Sequence, residues 1–241
     1  MTKTPKWFQK LFYRETLMAI KCSLRFFSYD EFRDDLILLL PQPSEKSRIR
    51  IVNNILYRFF PDKKLYTLPA QVWQAYGNDF LLREILRYEF LKNEPVIVDF
   101  LLNYLFKISE NKYFSPDIFK KFISQTYGKE NMNLTWWLQG AMKDLGFVLK
   151  EKNIWKINDI RKPKTALIIL IHSIFANYPN KINYHDILNH NFWKLIGIKN
   201  QESLCSILKE ADFKNLIRFN GETVETIYTL EILMAMKPDL D

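Results

Sequence analysis

Residues 133–157 read NLTWWLQGAMKDLGFVLKEKNIWKI, and the fold follows from how that stretch divides. Behind Asn133, positions 134–145 carry apolar residues at helical spacing, and Gly146 supplies the stop, because glycine takes the left-handed conformation that ends a helix without a Cβ penalty. Phe147-Val148-Leu149 and Ile154-Trp155-Lys156-Ile157 are β-prone runs on either side of a polar turn, which predicts a hairpin. Upstream, Ser115-Pro116-Asp117 places a capping serine before a proline at the first helical position, opening a helix over 117–125 that Gly128 breaks. Helix, turn, helix and hairpin in that order predict a winged-helix-like unit over residues 111–160.

The same order returns downstream. A short helix over 183–189 and a longer one over 201–211 precede two apolar runs, 216–219 and 223–230, separated by Asn220-Gly221. Asn-Gly between such runs is a strong hairpin signal, since both turn residues need positive φ. The pattern Ala141 to Phe147 can be set beside Leu208 to Phe213, and Arg161-Lys162-Pro163-Lys164 is the natural junction. A second winged-helix-like unit is therefore expected within 161–241.

Residues 1–110 read as a helical domain. Thr4 to Arg25 has no glycine or proline after Pro5. Ser28 with Glu31 forms a capping box for a helix that reaches Leu40 and stops at Pro41-Gln42-Pro43. Ser44 opens another, with Ile49, Val52, Ile55, Leu56 and Phe59 as its apolar stripe and Pro61 as its end. Three more segments follow: around Val72 to Tyr76, Phe80 to Lys92, and Val96 to Phe106 behind Pro95. The expected class is mainly α, a helical bundle followed by winged-helix-like units.

Composition narrows the function. The chain has 241 residues, 48% hydrophobic and 26% charged, enough to bury a core and inconsistent with wholesale disorder. Six glycines argue against glycine-rich nucleotide-binding folds. Two cysteines, Cys22 and Cys205, are too few for a disulfide framework and suit a reduced intracellular setting. The longest apolar run, 166–176, spans 11 residues where a membrane helix needs roughly 20, and Met1 to Lys21 lacks a signal-peptide core. A soluble cytoplasmic protein is expected.

No catalytic constellation appears. His172, His185 and His190 have no zinc-ligand spacing, and neither cysteine sits in a C-x-x-C pair. They read as surface or helix-end histidines. Pro61-Asp62-Lys63-Lys64 matches a fragment of a nuclease motif but follows a helix, where that motif needs a strand pair; Asp34 and Asp35 point to different sides of a helix. A non-enzyme without metal, cofactor or small-molecule ligand is expected.

Charge gives the positive clue. The net charge is +8, with 11 basic against 6 acidic residues in positions 1–60 and 24 against 21 in the remainder. Affinity for DNA comes largely from neutralising phosphates with clustered Lys and Arg. Two clusters qualify: Lys3, Lys6, Lys10, Arg14, Lys21 and Arg25, and then Lys46, Arg48, Arg50 and Arg58. A solvated helix face explains most charge runs, but acids are sparse where these lie. On the expected recognition helix the base-reaching candidates are Asn133, Thr135, Gln139 and Lys143, with Lys150 and Lys152 at the wing tip for phosphate. Trp136 and Trp137 read as core, because adjacent helical positions cannot both face one ligand. In the second unit Asn200, Gln201, Ser203 and Lys209 occupy the matching places, but Glu202, Glu210 and Glu222 dilute the charge and suit a protein contact.

The chain resembles the BrxA family of bacterial and archaeal BREX phage-exclusion systems over about residues 10–160. The likeness rests on Phe12-Tyr13-Arg14; on Pro43 to Arg48 continuing through Asn54 to Arg58; on Trp73 ahead of Leu82-Arg83-Glu84-Ile85-Leu86 and Phe100; and on Phe119 through Leu145-Gly146-Phe147. Tyr57 stands where the family has a second arginine, and Phe59-Phe60-Pro61 replaces its Arg-Leu ending. The resemblance implies a non-enzymatic, double-stranded-DNA-binding component of an antiviral defence locus, acting beside a methyltransferase and ATPases. The alternatives are a protein–protein adaptor of a multi-subunit complex and a winged-helix transcription regulator; the scarcity of arginine on either recognition helix counts against the second.

Overall fold

A computed structural model of the chain describes residues 8, 10–108, 112–175 and 180–240. Among them are thirteen α-helices and two three-stranded antiparallel sheets.

Among the described residues the first helix is α1 (Tyr13–Ser23); the expected helix from Thr4 is not helical at residues 8 and 10–12, and its other early positions lie outside the described residues. Phe8 and Leu11 are buried in the core, and Phe12 adopts a left-handed φ of 52°, so the lead-in is held non-helical by tertiary packing that local propensity does not record. Thr16 fixes the junction: its N–H donates to the Phe12 carbonyl at 2.8 Å and its hydroxyl to the Leu11 carbonyl at 3.2 Å. The next two helices begin where their serines indicate. Ser28 Oγ accepts the Glu31 N–H ahead of α2 (Tyr29–Leu39), and Ser44 Oγ accepts the Ser47 N–H ahead of α3 (Glu45–Phe59). There follow α4 (Leu68–Tyr76), closed by left-handed Gly77; α5 (Asp79–Leu91), capped by Asn78; and α6 (Pro95–Asn103). The expected continuation of α6 to Phe106 is interrupted at Tyr104 and resumes only as one 3-10 turn, Leu105–Lys107.

The middle of the chain runs β1 (Tyr113–Phe114), α7 (Asp117–Tyr127), α8 (Met132–Asp144), β2 (Val148–Glu151) and β3 (Ile154–Ile157). Asn131, not Asn133, caps α8 by accepting the Leu134 N–H at 3.1 Å. The sheet order is β1-β3-β2, with Tyr113, Lys156 and Leu149 in register across it. A helix buried along its whole face, α9 (Lys164–Ile174), links to the C-terminal part and absorbs most of the long apolar run. Then come β4 (Asn180–Asn183), α10 (Tyr184–Asn189), α11 (Phe192–Leu195), α12 (Gln201–Phe213), β5 (Ile217–Phe219), β6 (Thr223–Thr226) and α13 (Leu230–Met236). This sheet has the order β4-β6-β5, so in both units the strand before the helices pairs with the last strand of the hairpin. The run 223–230, expected as one strand, ends at Thr226, because Thr229 caps α13 by accepting the Ile232 N–H.

Two hydrophobic cores result. One gathers α1–α3, α6–α8 and the first sheet, so the N-terminal helices and the middle unit share a single core. The other gathers α9–α13 and the second sheet. Helix α5 serves both, with Leu82, Leu86 and Phe90 facing the first and Leu81 and Ile85 the second. Buried Arg87 on the same helix donates to the Leu145 carbonyl at 2.6 Å and to the Ile196 carbonyl at 3.1 Å, joining the ends of α8 and α11. Its guanidinium lies 3.1 Å from where a Cβ on Gly146 would stand, and Gly146 has φ 79°, so glycine is required there.

Candidate nucleic-acid interface

On α3 the positions 46, 50, 54 and 58 recur every four residues and form one ridge. The ridge descends from solvent into the core: Lys46 and Arg50 are exposed, Asn54 is half-buried and Arg58 is buried. Arg58, expected as a phosphate contact, is therefore withdrawn from the surface. Its guanidinium is ion-paired to buried Glu94, lies 4.9 Å from the Phe90 ring centroid, and donates to the Lys10 carbonyl at 2.9 Å and to Asn54 Oδ1 at 3.0 Å. Desolvation lowers its pKa, opposed by the Glu94 carboxylate. Arg48 lies off the ridge and folds back, donating to the Gln42 carbonyl at 2.8 Å, where it braces the turn before α3.

The ridge meets the lead-in to α1 and the outer face of α8. Lys10, Phe12, Arg50, Asn54 and Trp137 line a pocket of about 460 Å³. The Lys10 ammonium stands 5.2 Å from the Phe12 ring centroid. Beside this pocket, Asp144 at the end of α8 feels Lys143, Lys10, Arg14 and Arg83 together. Burial raises its carboxyl above the ordinary value, and all four cations pull the other way. Lys10 thus belongs to both groups: it lines the pocket with Arg50 of α3, and it acts on Asp144 together with Arg14, Arg83 and Lys143.

Other expected residues lie elsewhere. Thr135 is buried and its hydroxyl donates to the Asn131 carbonyl at 3.0 Å, so it reaches no ligand; its place in the apolar stripe of α8 explains this. Lys21 is engaged at the far end of α1, 2.5 Å from Asp79 and 4.1 Å from the Trp73 ring centroid. Arg25, Asn133, Lys150 and Lys152 are exposed, and Gln139 is half-buried; none of these lines the pocket. Lys6 and Lys3 lie outside the described residues.

Of the two tryptophans, Trp136 departs from the sequence reading. The core side of α8 is taken by Leu134, Leu138, Ala141, Met142 and Leu145, which leaves Trp136 58% exposed, while Trp137 packs against the first core as expected and also walls the pocket. Subtracting that apolar stripe from the helix would have found both. Between them and Lys143 sits Gly140, where a Cβ would meet nothing within 4 Å.

The C-terminal unit differs in character. Asn200 is spent as the cap of α12, accepting the Ser203 N–H at 2.8 Å, and Glu210 pairs with Lys164 at 2.9 Å. Gln201 and Lys209 are exposed along a pocket they share with Tyr184, Glu202, Cys205 and Ser206. His172 is at a helix end but not at the surface: it is buried in the last turn of α9, where its Nδ1 contacts the Ile168 carbonyl at 2.9 Å and burial lowers its pKa. Among the described residues no three His, Cys, Asp or Glu side chains come together as metal ligands, and no helix is long and apolar enough to cross a membrane.

Comparison with models of protein families, with curated proteins and with solved structures finds no match.

Proposed function

We propose that the chain binds duplex DNA without catalysis, chiefly through phosphate contacts, and that its two strand–helix–helix–hairpin units are winged helices. The observation that carries this reading is that Lys10 and Arg50, from two distant segments, line one pocket, while Lys10 also acts on Asp144 together with Arg14, Arg83 and Lys143. Asp144 is one carboxylate against Lys143, Lys10, Arg14 and Arg83, so the cations outnumber the acid they act on, and a phosphate backbone would take up the surplus. Lys46 extends the same ridge outward, and Lys150 and Lys152, exposed on the β2–β3 hairpin, are taken as the phosphate contacts of a wing. With the resemblance noted above, the biological setting is a BREX-type phage-exclusion system of bacteria or archaea. There it works in the cytoplasm beside a methyltransferase and ATPases. The C-terminal unit, with Glu202 and an exposed Phe213 on α12, is assigned to contact those proteins.

A mobility-shift titration of duplex DNA across a salt series tests the reading. Four to five phosphate contacts predict a slope of log K against log salt of about −4. Reversing Arg50 and Lys143 to glutamate should weaken binding on every sequence alike and flatten that slope. Salt-independent binding, or no retardation at low salt, rejects the proposal.

A further inference from the structure

We infer that the pocket between the α1 lead-in, α3 and α8 receives a single unstacked base of the bound DNA, so that the protein prefers DNA carrying an unpaired nucleotide over a perfectly paired duplex. The inference deepens the DNA-binding reading and rests on it. In intact duplex the faces of the bases are covered by their neighbours, so a surface that contacts only phosphates has no use for aromatic walls. This pocket has two, Phe12 and Trp137, and its volume of about 460 Å³ falls within the range of about 300–1,000 Å³ typical of small-ligand sites. Lys10, whose ammonium stands 5.2 Å from the Phe12 ring centroid, and Arg50 line it as well, and would meet the phosphates flanking an extruded base. Aromatic faces with cations around them are how proteins hold unpaired bases regardless of sequence.

The walls are built rather than incidental. Phe12 is held in the left-handed region at φ 52°, a conformation bulky residues avoid and which persists where surrounding structure over-determines it. Here Thr16 fixes the Phe12 and Leu11 carbonyls. Behind the pocket the Arg58–Glu94 pair holds both the Lys10 carbonyl and Asn54 Oδ1, two of its lining residues. Gly140 lies one turn beyond Trp136 and Trp137, inside a helix where glycine is unfavourable and where no protein atom requires it. Under this inference the bare backbone leaves room for the DNA strand beside Trp137.

Titrating the full chain with three fluorescent DNAs distinguishes the outcomes: a paired duplex, the same duplex with a one-nucleotide bulge, and that bulge made abasic. The bulged duplex is expected to bind about tenfold more tightly than the paired one, in line with one base stacking on an aromatic side chain. The abasic bulge, which keeps the extra backbone unit but has no base, should lose that preference. Trp137→Ala should bind all three alike at the affinity of paired duplex, and Trp137→Phe should restore the preference, which separates a lost stacking face from a damaged fold. Equal binding of paired and bulged duplex by the wild type overturns the inference and leaves the DNA-binding reading standing; so does an abasic bulge bound as tightly as the intact one. Failure to bind any of the three overturns both.

Discussion

Arg58 shows how a basic residue reaches the core without becoming a liability: its guanidinium is met by Glu94, Asn54, the Lys10 carbonyl and the Phe90 ring. Breaking a buried pair leaves the remaining charge uncompensated, which costs more than the pair itself contributes. Glu94→Gln is accordingly expected to destabilise the protein by about 3–5 kcal/mol in urea unfolding. Arg58→Met combined with Glu94→Leu should recover most of that loss, since no charge is then stranded. The double variant should still bind bulged DNA poorly, because nothing holds the Lys10 carbonyl. Gly140 makes the opposite case. With no neighbour to meet an added Cβ, Gly140→Ala should raise helix stability by about 0.5–1 kcal/mol, read as a higher melting temperature. The same variant should weaken DNA binding if a ligand passes close to α8; unchanged affinity would remove Gly140 from the interface.

Among the elements, α8 carries the decisive asymmetry. Its inner face is apolar, and its outer face ends in an acid, Asp144, set among Lys143, Lys10, Arg14 and Arg83. Because burial disfavours the ionised carboxylate while the cations favour it, Asp144 tempers the local positive potential. Asp144→Asn removes that negative charge and should strengthen duplex binding several-fold at low salt, an advantage that fades as salt rises; weaker binding would mean that Asp144 orders the cations instead. How far such features are legible in sequence depends on how local their causes are. Ser28 and Ser44 announce α2 and α3 because a cap acts within three residues. The late start of α1 is invisible because it is imposed by burial of Phe8 and Leu11 against distant helices. Helix α13 is missed because its cap, Thr229, sits inside a β-prone run. Arg58 looks like a surface cation since its partner Glu94 is 36 residues away. The pocket itself joins residues 10–12, 50–54 and 137, so periodicity within any one segment cannot display it.

At the scale of the whole molecule, the two cores meet along α5, and Arg87 is the polar joint between them. Burial lowers its pKa from 12.5 to about 10, so it stays charged in both folded and unfolded states at neutral and acidic pH and adds no pH dependence there. His172 behaves otherwise. It lies in the second core with its pKa below the ordinary 6.5, so as pH falls through that value the unfolded chain takes up a proton that the folded chain refuses. Stability is therefore lost on acidification, by at most about 1.4 kcal/mol per pH unit for one site, and His190, whose pKa burial also lowers, adds in the same direction. His172→Leu should flatten this slope between pH 7 and 5. If Arg87 couples the cores, acid should lower the melting of both together, although the titrating histidines belong to the second. Arg87→Met strands two carbonyls at helix ends and cuts that coupling. In that variant, hydrogen exchange at pH 5.5 should report faster opening of α9 and α12 while α3 and α8 keep their pH 7 protection. Parallel loss of protection in all four helices would instead show that the shared packing of α5 carries the coupling without Arg87.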